Sequence, residues 1–212
     1  MRHFPQTDLY ALTDSRLSLG RSIEDVASQL LAAGIKIIQY REKKKKGGEM
    51  LEECRILRKL TKDAGAFFIV NDHIDIAMLV GADGVHIGQE DIPVAEVRRL
   101  VGENCVIGLS THSPKEAHAA VEQGADYIGV GPIYPTQTKE DVCAPVGFEY
   151  LNYVAKNIPI PFAAIGGIKE HNIGEVAQNG AKCCCLVSEF VGAEDIAATV
   201  ARVRKAMAEG LK

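Results

Sequence analysis

Short apolar runs of strand-forming residues alternate with amphipathic helical stretches along nearly the whole chain, and that rhythm leaves few folds open. Residues 9–13, 35–40, 67–70, 84–87, 106–109, 127–130, 162–165 and 183–187 read as strands. Helices are expected over 22–33, 49–64 and 74–80, and around Glu96, Ala117, Leu151, Val176 and Ala201. Leu51, Cys54, Leu57 and Leu60 show the helical spacing. Ser22 with Asp25 three residues on is an N-cap signal, and Pro93 and Pro114 suit first-turn positions that need no free amide. Strands buried on both faces and separated by helices require a parallel sheet. Eight such units in 212 residues fit an α/β fold of one domain, a (β/α)8 TIM barrel spanning 1–212. A doubly wound open sheet is the competing architecture. The barrel is favoured because polar residues cluster just after many different strands, whose ends converge on one mouth only in a barrel.

Composition narrows the class of partner. The formal charge of -4 argues mildly against nucleic acid as the main partner. No apolar stretch reaches the ~20 residues of a membrane span, and no apolar core of a secretory signal follows Met1 to Pro5. The six cysteines lack metal-ligand spacing, and Cys183, Cys184 and Cys185 sit in an apolar run. Buried free thiols in a cytoplasmic protein are the expectation. Lys44 to Lys46 read as a solvated loop.

The most informative segment is Gly129 to Lys139, where an apolar strand breaks at Gly131-Pro132 and Thr136, Thr138 and Lys139 follow. Two hydroxyls and an ammonium so placed form a cradle for phosphate oxygens. Gln39, Arg41 and Lys43, after the second strand, share the two-residue period and point one way if the chain stays extended. A guanidinium fork with an ammonium suits a diphosphate. Asp72 and Asp91 follow adjacent strands. Together they are candidates for one Mg²⁺ ion, each being alternatively a helix cap. Ser110 is a further phosphate donor, and Gly166-Gly167 with Ser188 after the last two strands fits a site for a single phosphate. His112 and His86 have the right chemistry for proton transfer, but His112 also reads as a helix approach.

Taken together, Gln39-x-Arg41-x-Lys43, Asn71-Asp72, His86-x-Gly88-Gln89-x-Asp91, Ser110-x-His112, Gly131-x-x-x-Pro135-Thr136-x-Thr138-Lys139 and Ile165-Gly166-Gly167-Ile168 resemble the thiamine phosphate synthase family. The resemblance runs from about Leu9 to Thr199. It implies a TIM barrel that joins a hydroxymethylpyrimidine diphosphate to a thiazole phosphate, with Mg²⁺ and release of pyrophosphate. By the same resemblance, Gln39, Arg41, Lys43, Asn71, Ser110 and Lys139 hold the pyrimidine diphosphate, and Arg41, Lys43, Lys139 and Ser110 carry the catalysis. Asp72 and Asp91 take the metal, while Thr136, Thr138, Gly167, Val187 and Ser188 bind the thiazole phosphate. His73 after Asp72, and Lys182-Cys183 before the last strand, depart from the family pattern without removing a named ligand. Rival readings are a thiazole tautomerase of the same fold using a histidine such as His112, a sugar-phosphate isomerase, and a non-catalytic binder of thiamine precursors. A homo-oligomer is compatible with the sequence.

Overall fold

The computed structural model describes residues 3–138 and 143–211. Eight strands close into a parallel barrel in sequence order: β1 (Leu9–Leu12), β2 (Ile37–Tyr40), β3 (Phe67–Asn71), β4 (Gly84–Ile87), β5 (Val106–Thr111), β6 (Tyr127–Val130), β7 (Phe162–Ile165) and β8 (Cys184–Leu186). β8 returns to β1 with Leu9 opposite Cys184 and Tyr10 opposite Cys185. The helices are α1 (Ile23–Ala32), α2 (Gly47–Asp63), α3 (Ile74–Val80), α4 (Val94–Val101), α5 (Pro114–Glu122), α6 (Gly147–Asn157), α7 (Ile173–Gln178), α8 (Ser188–Val191) and α9 (Ile196–Gly210).

Local chemistry sets these boundaries. Ser22 caps α1 by accepting a hydrogen bond from the Asp25 amide, and Pro114 occupies the first turn of α5. Pro93 lies one position earlier than expected, at the cap of α4. Ile35 is drawn back into the end of α1, its amide donating to Leu30 O at 3.1 Å, so β2 starts two residues later than the apolar run suggested. At the other end of the barrel, Ser188 opens the short helix α8 rather than extending the last strand.

Strand alternation divides the core in two. Outward residues such as Ile38, Phe68, Val85 and Leu186 pack beneath the helices. Inward residues Tyr10, Leu12, Ile37, Ile69, Val106, Tyr127, Ala163, Cys183 and Cys185 fill the barrel. Phe4 closes its amino-terminal end by stacking on Tyr127, with ring centroids 4.0 Å apart. The thiols of Cys183 to Cys185 are buried and free, and burial pushes each above the ordinary thiol range. Cys183 and Cys185 fill the barrel and Cys184 packs outward beneath the helices, all three buried as the apolar run implied. Among the described residues, no helix is long and apolar enough to cross a membrane.

Candidate active site at the carboxyl rim

The barrel interior is not wholly apolar. A chain of side-chain hydrogen bonds crosses it from β2 to β5. Gln39, on an inward position of β2, donates its amide nitrogen to the Tyr10 hydroxyl at 2.5 Å. The Tyr10 and Tyr127 hydroxyls are 3.1 Å apart. Tyr127 reaches His86 Nδ1 at 2.8 Å, and His86 Nε2 reaches Ser110 Oγ at 2.9 Å. Burial pushes both phenols above the ordinary tyrosine value, so each keeps its single proton. Each hydroxyl and each ring nitrogen along this chain can give or take a proton, so the His86 tautomer sets which way it runs. The Ser110 hydroxyl, held by His86 Nε2, is its rim end. At the opposite end, Gln39 Oε1 is buried without a hydrogen-bond partner among the described residues.

Gly108 on β5 makes room for this chain. A Cβ there would lie 2.2 Å from the Tyr127 ring and 2.5 Å from His86 Nδ1. No larger residue fits without moving both.

Above the chain lies the rim. Arg41 is buried, its guanidinium 3.3 Å from the carboxylate of the buried Asp14. Asp14 also holds Arg16 at 3.2 Å, and Arg16 donates to the Thr138 carbonyl at 3.1 Å, tying the loop after β1 to the loop after β6. The extended period ends at Tyr40 because the Glu42 carboxylate accepts from the amides of Lys43 at 2.8 Å and Lys44 at 2.9 Å. That turn carries Lys43 across to Asp72, Nζ to carboxylate 2.5 Å. Asp72 has a φ of 60°, a left-handed conformation that non-glycine residues seldom adopt. Neither candidate metal aspartate caps a helix with its side chain: α3 begins after His73 with no side-chain cap, and Asp91 accepts from the Gly88 amide at 2.7 Å. Among the described residues, no group of three or more His, Cys, Asp or Glu is arranged to hold a metal. Asn71, half-buried, occupies the inward position above Ile69.

On the opposite arc, Thr136 and Thr138 fold onto one another, Oγ1 to Oγ1 3.3 Å, with the Thr138 amide also donating to Thr136 Oγ1. Lys139 lies outside the described residues. Gly167 has a φ of +65°, and a Cβ there would meet Pro135 O and Tyr134 Cβ at 2.7 Å, so the β6 and β7 loops touch through it. Val187 ends the β8 run half-buried beside Ser188, whose Oγ accepts from Lys169 Nζ at 2.8 Å. His112 donates its Nδ1 proton to the Gly131 carbonyl at 2.6 Å, pinning the start of the same β6 loop.

Sequence reasoning missed Tyr10, Tyr127, Asp14, Arg16 and Lys169. Tyr10 and Tyr127 sit in apolar strands and read as core. The usable signal was the inward register of Tyr10, Gln39, His86 and Tyr127, four polar-tipped side chains where a barrel normally places aliphatic ones. Lys45 also differs from expectation. It is half-buried and paired with Glu53 at 2.5 Å rather than lying in a free solvated run.

Charged and hydroxylated groups gathered at the carboxyl ends of the strands, carboxylates among them, define a phosphate-handling barrel enzyme. Residues 9–190 match the family model described as thiamine monophosphate synthase. A thiamine-phosphate synthase from Lawsonia intracellularis is 60% identical over 200 residues, covering 94% of this chain and 92% of the relative. One from Pelotomaculum thermopropionicum is 59% identical, covering 94% and 91%. The solved thiamine phosphate pyrophosphorylase from Pyrococcus furiosus superposes with a TM-score of 0.87 at 36% identity, over 97% of each chain. The chain belongs to the thiamine monophosphate synthase family.

Proposed function

We propose that this rim receives 4-amino-2-methyl-5-hydroxymethylpyrimidine diphosphate and 4-methyl-5-(2-phosphoethyl)thiazole side by side, the chain being a single-domain cytoplasmic transferase that joins them into thiamine phosphate and pyrophosphate. The observation that carries the reading is the split of the rim into two anion-suited arcs. Arg41, Lys43 and the aspartates lie after β2 to β4, and Thr136, Thr138, Gly167 and Ser188 lie after β6 to β8.

The bond that breaks joins the pyrimidine methylene carbon to the diphosphate oxygen, and its electron pair leaves with the diphosphate. Positive charge on that carbon delocalises into the aminopyrimidine ring, and the thiazole nitrogen lone pair then forms the new C–N bond. No side chain has to act as a nucleophile. Arg41 and Lys43, with Lys139 by its motif, face charge growing on the leaving group, where fixed cations in a water-poor site stabilise most. Arg41 is held ready by Asp14. Ser110 supplies a hydroxyl held in place by His86 at the end of the interior chain, and Gln39 and Asn71 line the same inward wall.

The donor set fits Mg²⁺: two carboxylates on neighbouring loops, all oxygen, with the remaining positions open to water and phosphate oxygens. Asp72 and Asp91 would hold it, and it would supply further neutralisation of the diphosphate. The thiazole end needs position and dryness more than chemistry, which Thr136, Thr138, Gly167, Val187 and Ser188 supply. A tautomerase reading is weaker, because it leaves Arg41, Lys43, Asp72 and Asp91 without work and finds the His112 Nδ1 proton committed to Gly131. Mixing both precursors with Mg²⁺ should yield pyrophosphate and thiamine phosphate in equal amounts. Tight binding of both with no product would reject the reading.

A further inference from the structure

We propose that Lys169 and Glu189 form a charge gate for the phosphate of the second substrate. Lys169 reads the phosphate's charge, and Glu189 holds the lysine while that phosphate is absent. The inference rests on the reading that Gly167, Val187 and Ser188 receive the thiazole phosphate.

Lys169 follows the Gly166-Gly167 turn after β7 and is anchored at its backbone. Its amide donates to Asn172 Oδ1 at 2.7 Å, and Asn172 Nδ2 donates to the Gly167 carbonyl at 3.0 Å. From that fixed origin the side chain crosses to the loop after β8. Its Nζ donates to Ser188 Oγ at 2.8 Å and lies 3.1 Å from Glu189 Oε2. The other Glu189 oxygen accepts from the Glu170 amide at 3.0 Å, so the carboxylate is itself held in place.

An ammonium has three protons and no acceptor capacity, so it can serve Ser188, Glu189 and one further oxygen. Because Ser188 Oγ accepts from Lys169, its own proton is available to another acceptor. An anion taking that proton at the usual ~2.7 Å would lie within about 5.5 Å of Nζ, close enough for opposite charges to act strongly. The same anion would feel Glu189 as a like charge. A loop-to-loop strut would need only the Lys169–Glu189 pair. Insertion of the ammonium against the hydroxyl of a proposed phosphate ligand is what a strut leaves unexplained.

The two readings predict different signs. With the pyrimidine diphosphate saturating, Lys169→Met should raise KM for the thiazole phosphate about tenfold, roughly one unit-charge contact of ~1.4 kcal/mol, with a much smaller change in kcat. Lys169→Arg should restore most of it. Glu189→Gln should lower that KM, because the lysine is released and the like charge removed. The dephosphorylated thiazole alcohol should show the same KM with wild type and Lys169→Met. If Lys169→Met and Glu189→Gln both raise KM for the phosphate, or if the alcohol is affected equally, the pair is a strut and the gate is overturned. Ser188→Ala separates the two levels of argument. An unchanged thiazole phosphate KM in that variant rejects the subsite itself. A raised KM there, beside an unchanged one in Lys169→Met, rejects only the role of Lys169.

Discussion

His86 Nε2 lies 2.9 Å from the Ser110 hydroxyl, while its Nδ1 lies 2.8 Å from Tyr127, so one imidazole couples a rim hydroxyl to the barrel interior. Tyr127→Phe keeps the ring that stacks on Phe4 and removes only the hydroxyl in the middle of the chain. Tyr10 and His86 Nδ1 then each lose a hydrogen-bond partner. Two partly unsatisfied groups, one buried and one half-buried, should cost about 1–3 kcal/mol, a melting temperature lower by several degrees in a chain of this size. With the imidazole that holds Ser110 no longer anchored, kcat/KM for the pyrimidine diphosphate should fall about tenfold, the effect of ~1.4 kcal/mol. KM for the thiazole phosphate should stay nearly constant. A lower melting temperature with unchanged kcat/KM would make the chain packing alone.

The two aspartates of the rim call for a different measurement. Asp91→Asn preserves an acceptor for the Gly88 amide and removes the charge. If Asp91 holds Mg²⁺, the metal concentration for half-maximal rate should rise at least tenfold. The maximal rate should fall on the order of 10²-fold, the usual scale for losing a preorganised charge stabiliser. The melting temperature without metal should barely move, since the carboxylate is exposed. An unaltered Mg²⁺ titration would remove Asp91 from the metal site.

Much of the barrel was legible because its strands are short, apolar and regularly spaced, and the one missed helix shows where that signal fails. Val187, Phe190 and Val191 continue the apolar character of β8, so nothing in the pattern marks Ser188 as the start of a new element. The rim residues were legible as types and as strand-end positions. Their connections were not. Lys43 meets Asp72 only because Glu42 turns the chain by capturing two amides, a tertiary event that a two-residue period does not encode. Arg41 likewise depends on Asp14, which comes from the loop after a different strand.

Gly108 tests whether the interior chain needs its space. The Cβ of Gly108→Ala would overlap the buried Tyr127 ring and Nδ1 of His86, which is half-buried and bonded at both ring nitrogens. Overpacking of this kind costs about 1–3 kcal/mol, so the denaturation midpoint should drop measurably. Activity should fall further than in Tyr127→Phe, because the imidazole must move as well. Wild-type stability and turnover in Gly108→Ala would mean that Tyr127 and His86 are free to shift.

Glu42 gives the fold a dependence on pH that can be read in one direction only. Burial alone would raise its carboxyl. Hydrogen bonds from Ser15 at 2.5 Å and from the Lys44 and Lys43 amides, with the charge of Lys45, outweigh that and hold it below its usual value of 4.5. A carboxyl that titrates lower in the folded state than in the unfolded one stabilises the fold fully above the unfolded value. The contribution is lost as pH falls through the lower, folded value. Glu42→Gln keeps an oxygen for the amides but removes the charge. The wild type should therefore have the higher urea midpoint at pH 7, and the gap should shrink steadily once pH drops below about 4.5. The turn that aims Lys43 at Asp72 depends on the same carboxylate, so catalytic loss on acidification should precede global unfolding. A midpoint gap that stays constant down to pH 3, roughly 1.5 units below that value, would show that the charge of Glu42 does not hold the turn.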